Sequence, residues 1–225
     1  MNLRILLLST VFFTVWTTSD MHAQYRFGIK AGLQLANMHY KGTNNPYVYT
    51  VLQQQKSIPR LSFAVGAILL YDLKKSLTLS AEIQLGGRGY RLEPQDPTKD
   101  FQSFDAWLWY LQVPLACNFR WRGFTIGAGP YAALGLGGRV NTVYPNLQDF
   151  RENVRFANDE SGQYRRMDAG LYSQVGYSFR NFRLMLSYQL GLTNAIPAFY
   201  SESDAVSAKQ RIMNLSAAYF FGVRE

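Results

Sequence analysis

Eight stretches of this chain alternate between apolar and polar side chains, and no apolar run reaches the roughly 18 residues that a membrane-spanning helix needs. A period of two belongs to a strand, whose successive side chains point to opposite faces. Tyr25, Phe27, Ile29, Ala31, Leu33 and Leu35 form one face of the first stretch, with Arg26, Gly28, Lys30, Gly32 and Gln34 on the other. The pattern returns over Leu61–Tyr71, Leu77–Leu85, Trp107–Phe119, Phe124–Leu134, Asp168–Phe179, Phe182–Gln189 and Met213–Phe221. Hydrophobic residues make up 48% of the chain and charged residues only 17%, against about 25% charged in soluble domains. Mean hydropathy is nevertheless slightly negative. Strands with one face to lipid and one to a polar lumen give that combination.

The connections carry a second pattern. Asp72–Ser76, Trp121–Gly123 and Arg180-Asn181 are short, whereas the stretches near Tyr40–Arg60, Leu92–Ala106, Val140–Arg166 and Ala195–Gln210 are long. Short periplasmic turns and long external loops mark an outer-membrane barrel. Aromatic placement agrees. Tyr25, Phe27, Tyr71, Phe119, Phe124, Tyr177, Phe179, Phe182, Tyr219 and Phe221 cluster at the short-turn ends, with Phe63, Trp107 and Trp109 at the other ends. Amphipathic rings favour the head-group level, so two belts around an aliphatic band are expected. A soluble lipocalin-like barrel would alternate equally, but belts and turn asymmetry oppose it. The expectation is an all-β fold, an eight-stranded antiparallel transmembrane β-barrel over residues 24–225.

Residues 1–23 read as a cleaved export signal. Arg4 supplies the positive start, Ile5–Val15 the apolar core, and Met21-His22-Ala23 a cleavage site. About a dozen apolar residues at 1.5 Å each cannot cross a core about 30 Å thick. The expected location is therefore the outer membrane of a Gram-negative cell.

Composition also excludes functions. The formal net charge is +8, but basic residues are dispersed rather than interleaved with stacking aromatics, so nucleic acid is not a partner. Outer-membrane lipid and lipopolysaccharide are. Cys117 is the sole cysteine and forms no internal disulfide. No His/Cys/carboxylate cluster suggests a metal, and no cofactor is implied. The glycines at 127, 129, 135, 137 and 138 are followed by no Lys-Ser/Thr, so they make no phosphate loop. His39, the only histidine after residue 23, has just Ser62 as a convenient neighbour for a hydrolytic pair. The reading is non-enzymatic.

Several segments resemble a known family. Tyr110-Leu111-Gln112-Val113-Pro114-Leu115 resembles the "YLEIPL" strand of PorT-family outer-membrane barrels. Phe124–Leu134 is similar to that family's Gly-Pro-Tyr strand, Met167–Phe179 to its Asp-x-Gly strand, and Tyr188–Asn194 to its "YxxGLTN" strand. The order and spacing match along essentially the whole chain after the signal, although Ser187 stands where many members carry Arg. The resemblance implies an eight-stranded barrel acting non-enzymatically in type IX secretion of proteins with C-terminal sorting domains. Other secretion-system proteins would then be partners. The alternative is a narrow channel or structural barrel unrelated to secretion.

Two groups of side chains are candidates for function. Inward-facing Lys30, Glu82, Arg88, Asp168 and Arg183 are expected to form a polar network filling a narrow lumen. Lys30 lies five residues beyond Tyr25, and Glu82 five beyond Leu77, on strands that ascend together. Their equal height predicts an ion pair across the interior. Tyr144, Phe150, Arg151, Arg155 and Phe156 in the third long loop are the expected contact surface for a protein partner or for lipopolysaccharide phosphates.

Overall fold

The computed structural model describes residues 25–41, 55–94, 103–143, 150–157, 163–196 and 207–221. The expected export signal lies outside them. Nine strands run in chain order: β1 Tyr25–Lys41, β2 Gln55–Lys74, β3 Leu77–Pro94, β4 Ser103–Trp121, β5 Phe124–Val143, β6 Phe150–Asn153, β7 Met167–Phe179, β8 Phe182–Gly191 and β9 Ser207–Phe221. All pairings between them are antiparallel. β1 pairs with both β2 and β9, and β4 closes onto β5. Eight strands therefore complete a ring. The ninth, β6, pairs only with the outer part of β5, Arg139–Thr142. Closure removes the free edges that a membrane does not tolerate.

Two hairpin turns place a non-glycine residue in the left-handed region, Arg122 at φ 46° and Arg180 at φ 52°, with Gly123 following at φ 89°. Positive φ at a two-residue loop suits the right-handed twist of the flanking strands. β5 also bulges, because Tyr110 pairs with Gly135 but Trp109 with Gly137, leaving Leu136 extra.

The faces sort by membrane depth. Ile29, Leu33, Val65, Ile83, Leu115, Ile126, Leu171, Leu184 and Leu215 are exposed around the outside, as a lipid-facing band requires. Ten residues separate Phe119 of the inner belt from Trp109 of the outer one along β4. That is about 34 Å of strand, or about 26 Å along the membrane normal at a tilt near 40°. The wall does not stop there. β1 to β5 have 17–20 residues, against the 9–11 that a tilted strand needs to span. The expected loops between Tyr40 and Arg60 and between Leu92 and Ala106 are consequently shorter, since strand pairing reaches Lys41, Gln55, Pro94 and Ser103. β8, with 10 residues, is the low side.

Candidate functional site: a lumen filled in four layers

The lumen is packed from end to end. Nearest the short turns, Ile68, Leu70, Met185, Ala218 and Phe220 form a buried apolar cluster. Arg183, 1% exposed, crosses it with its guanidinium 5.2 Å from the Phe220 ring centre, and its Nε donates to Ser178 Oγ at 2.9 Å. Below it Arg26 Nη2 meets Asp72 Oδ2 at 3.0 Å, Arg120 Nη2 lies 3.4 Å from the same carboxylate, and Thr78 Oγ1 donates to it at 2.7 Å.

The second layer is built on Glu82. Lys30 Nζ donates to Glu82 Oε2 at 2.8 Å, and the two side chains are 2% and 0% exposed. Gln84 also donates to this carboxylate, and Tyr172 Oη lies 3.3 Å from its other oxygen. Gln174 Nε2 donates to Asn118 Oδ1 at 2.6 Å, and Asn118 Nδ2 to Ser80 Oγ at 2.8 Å. An isolated ion at this depth would cost several kcal/mol, roughly, so each charge sits among hydrogen-bonding partners.

The third layer is centred on Arg88. Its Nη1 donates to Asp168 Oδ2 at 2.6 Å and to Gln210 Oε1 at 2.7 Å. Its Nη2 donates to Gln112 Oε1 at 3.1 Å and Gln189 Oε1 at 3.0 Å. The guanidinium also lies 4.6 Å from the Tyr110 ring centre. Asp168 accepts further bonds from Tyr131 Oη at 2.8 Å and Thr193 Oγ1 at 2.5 Å. One arginine thus joins β3, β4, β7, β8 and β9 across the bore.

The fourth layer is aromatic and comes partly from the third long loop. Phe156 packs edge-on against Tyr110, ring centres 5.6 Å apart, and Tyr164 Oη lies 2.7 Å from Tyr90 Oη. Met38, Leu92, Leu108 and Val140 belong to the same cluster. Gly135 makes room for it, since a Cβ there would come within 2.5 Å of the Phe156 ring. Burial pushes the Tyr164 hydroxyl well above its ordinary pKa, and the neighbouring Tyr90 adds to the shift.

The five expected lumen residues thus occupy three layers: Arg183 in the first, Lys30 with Glu82 in the second, Arg88 with Asp168 in the third. The loop residues are divided. Phe150, Arg151 and Arg155 are exposed, while Tyr144 lies outside the described residues. Phe156 does not share their surface, because its ring turns into the barrel mouth, where apolar partners are available. His39 and Ser62 do not meet as a catalytic pair. His39 is exposed on the outside, whereas Ser62 is buried and bonds the carbonyl of Gly87. The apolar first layer and the Tyr90–Tyr164 lid are absent from the sequence reading, which treated inward positions as polar.

Among solved structures, the chain is similar in fold to Ail, the attachment invasion locus protein of Yersinia pestis, at 13% identity and a TM-score of 0.45, covering 88% of this chain and 99% of that one. It is likewise similar to Neisserial surface protein A, at 12% identity and 0.45 over 87% and 97%. OprG from Pseudomonas aeruginosa follows at 11% and 0.41 over 90% and 98%. No curated protein matches the sequence. Residues 18–196 match the outer membrane protein beta-barrel domain, and the chain belongs to that family of outer-membrane proteins.

Proposed function

We propose that this protein is a sealed, non-enzymatic barrel that works by contact with other proteins, as an accessory of type IX secretion. The observation that carries the sealed, contact-based part is the filled bore: Arg88 bonds Asp168, Gln112, Gln189 and Gln210 at one level. A solute path there would need those bonds broken together, at about 1.5–3 kcal/mol for each bond to a charged group. With the interior committed to packing, the surfaces left for work are the exposed outer strand ends and loops. The four motif resemblances to the PorT family in Tyr110–Leu115, Phe124–Leu134, Met167–Phe179 and Tyr188–Asn194 support the secretion assignment. Deletion in a strain that uses this system should leave cargo inside the outer membrane with its sorting domain attached. Normal release of mature cargo by the deletion strain would overturn the secretion assignment, leaving a structural barrel.

A further inference from the structure

Above the tryptophan belt, β2 to β6 turn an arginine-rich face outward. Arg60 stacks over Trp107, its guanidinium 4.3 Å from the ring centre, and pairs with Asp105. Arg91 lies 3.4 Å from Asp105 and 3.6 Å from Glu93. On the next strands, Arg139 pairs in register with Trp107 and with Asn153, and Arg151 with Asn141, which puts both arginines on the same outer face. The side chains of Arg139 and Arg151 are exposed and make no hydrogen bond or ion pair with a described residue. Among the described residues of this face, four arginines stand with two carboxylates, Asp105 and Glu93, both engaged by Arg60 and Arg91.

This face is also hollowed. Trp107, Trp109, Gly137, Gly138, Arg139 and Asn153 line a groove of about 620 Å³. Trp109 packs edge-on against Phe63 at 5.3 Å, so the groove has an aromatic floor at the membrane boundary. Gly137 follows the Leu136 bulge, and a Cβ placed on it would touch nothing within 4 Å. Packing does not explain that glycine, and its lack of a side chain leaves the groove open. The depth is fixed by the belt: Trp109 marks the end of the apolar band, and Arg139 and Arg151 lie two and four rungs beyond it. At that height on the external side the anionic groups of the membrane itself are lipid phosphates.

We propose that this groove binds the head group of a phosphorylated glycolipid of the outer leaflet. Arg139 and Arg151 take a phosphate by charge-assisted bonds, Trp107 and Trp109 cover the sugar–acyl junction, and Arg60 and Arg91 add positive potential. The site is independent of any secretion role.

The test uses the full barrel, refolded and purified in zwitterionic detergent, titrated with bisphosphorylated lipid A and followed by tryptophan fluorescence and native mass spectrometry. The expected result is saturable one-to-one binding that R139A/R151A weakens about 25-fold, near fivefold per surface charge. R211Q removes one charge from β9, on the opposite wall, and should leave the affinity within twofold. Dephosphorylated lipid A should bind wild type as weakly as lipid A binds the double variant. Heat-modified gel migration reports folding of each variant, and R139K/R151K, which keeps the charge, should retain most of the affinity. Equal binding by wild type and R139A/R151A, or an equal loss in R211Q, would overturn the local site. Saturation of the same quenching by inorganic phosphate alone would overturn the lipid assignment.

Discussion

The buried pair Lys30–Glu82 is the clearest case of a side chain whose value depends on its partner. Each group is shielded from water, and they meet at 2.8 Å. Removing one partner of such a pair typically costs about 3–5 kcal/mol, because the other charge stays buried and uncompensated. Replacing both by apolar groups of similar volume costs far less. E82Q should therefore destabilise the barrel more than K30M/E82M, measured by urea unfolding in lipid vesicles with a tryptophan probe. The pair is coupled by construction, so additive single and double effects would mean that the two residues do not interact. Its position follows from counting: two residues at equal steps along two ascending strands of alternating character must face inward at equal height. Arg88 was as visible as an inward-facing charge. Asp168 was visible in the same way, but its meeting with Arg88, together with Gln112, Gln189 and Gln210, was not, because the four partners come from β7, β4, β8 and β9, and only closure of the ring brings those strands to one level.

At the level of elements, the outer halves of β1, β3 and β4 explain what the sequence withheld. Alternation continues there, but with its polarity reversed. Met38, Tyr90, Leu92 and Leu108 face inward, while His39, Arg91 and Asp105 face out. Below the belt the outside is lipid; above it the outside is water and the inside is a packed lid. A reading that equates apolar with outward ends each strand where this inversion begins, and that is why the loops around residues 92–106 looked longer than they are. Phe156 and Tyr164 were illegible for a related reason. A loop carries no periodicity, and their burial depends on the cavity that Gly135 leaves open in β5. That dependence is testable. G135A drives a methyl group into the Phe156 ring and should cost the lid about 1–3 kcal/mol by overpacking. Cleavage of loop three by proteinase K should rise severalfold, while the transmembrane barrel keeps its heat-modifiable migration. Alkali should act on the same element. Tyr164 has its hydroxyl pKa raised above the ordinary 10.0, so the lid's stability is full below pH 10 and is lost as pH rises through the raised value, since the unfolded loop ionises first. Loop three should stay protected from pH 7 to 9 and open only above 10; unchanged protection at pH 12 would contradict the buried placement of Tyr164.

For the molecule as a whole, the belts, turns and closed ring fix the orientation, and the layered interior fixes the permeability. In a C117S background, R155C in loop three should react with an impermeant thiol reagent on intact cells, while K75C in a short turn should react only after the outer membrane is opened. The reverse pattern would invert the barrel. Permeability follows from arranging the layers in series. The apolar cluster around Ile68 and Phe220, the Lys30–Glu82 layer, the Arg88–Asp168 layer and the aromatic lid each fill the bore at a different height. Eight strands enclose an interior that side chains just fill, so one intact layer is enough to block ions. Opening the outermost layer should therefore change protease access without changing conductance. Wild type and F156A/Y164A should both be silent in planar bilayers at 1 M KCl, and a variant that also removes the third-layer bonds, R88A with D168A, should stay silent because the two layers beneath it are intact. Stable nanosiemens currents from wild type would mean that the layers move together as a gate, and stable currents from F156A/Y164A alone would mean that the aromatic lid is the only barrier. Silence in both, with lid opening verified on the same preparation by protease cleavage after Arg155, is the outcome that a bore filled at four heights requires.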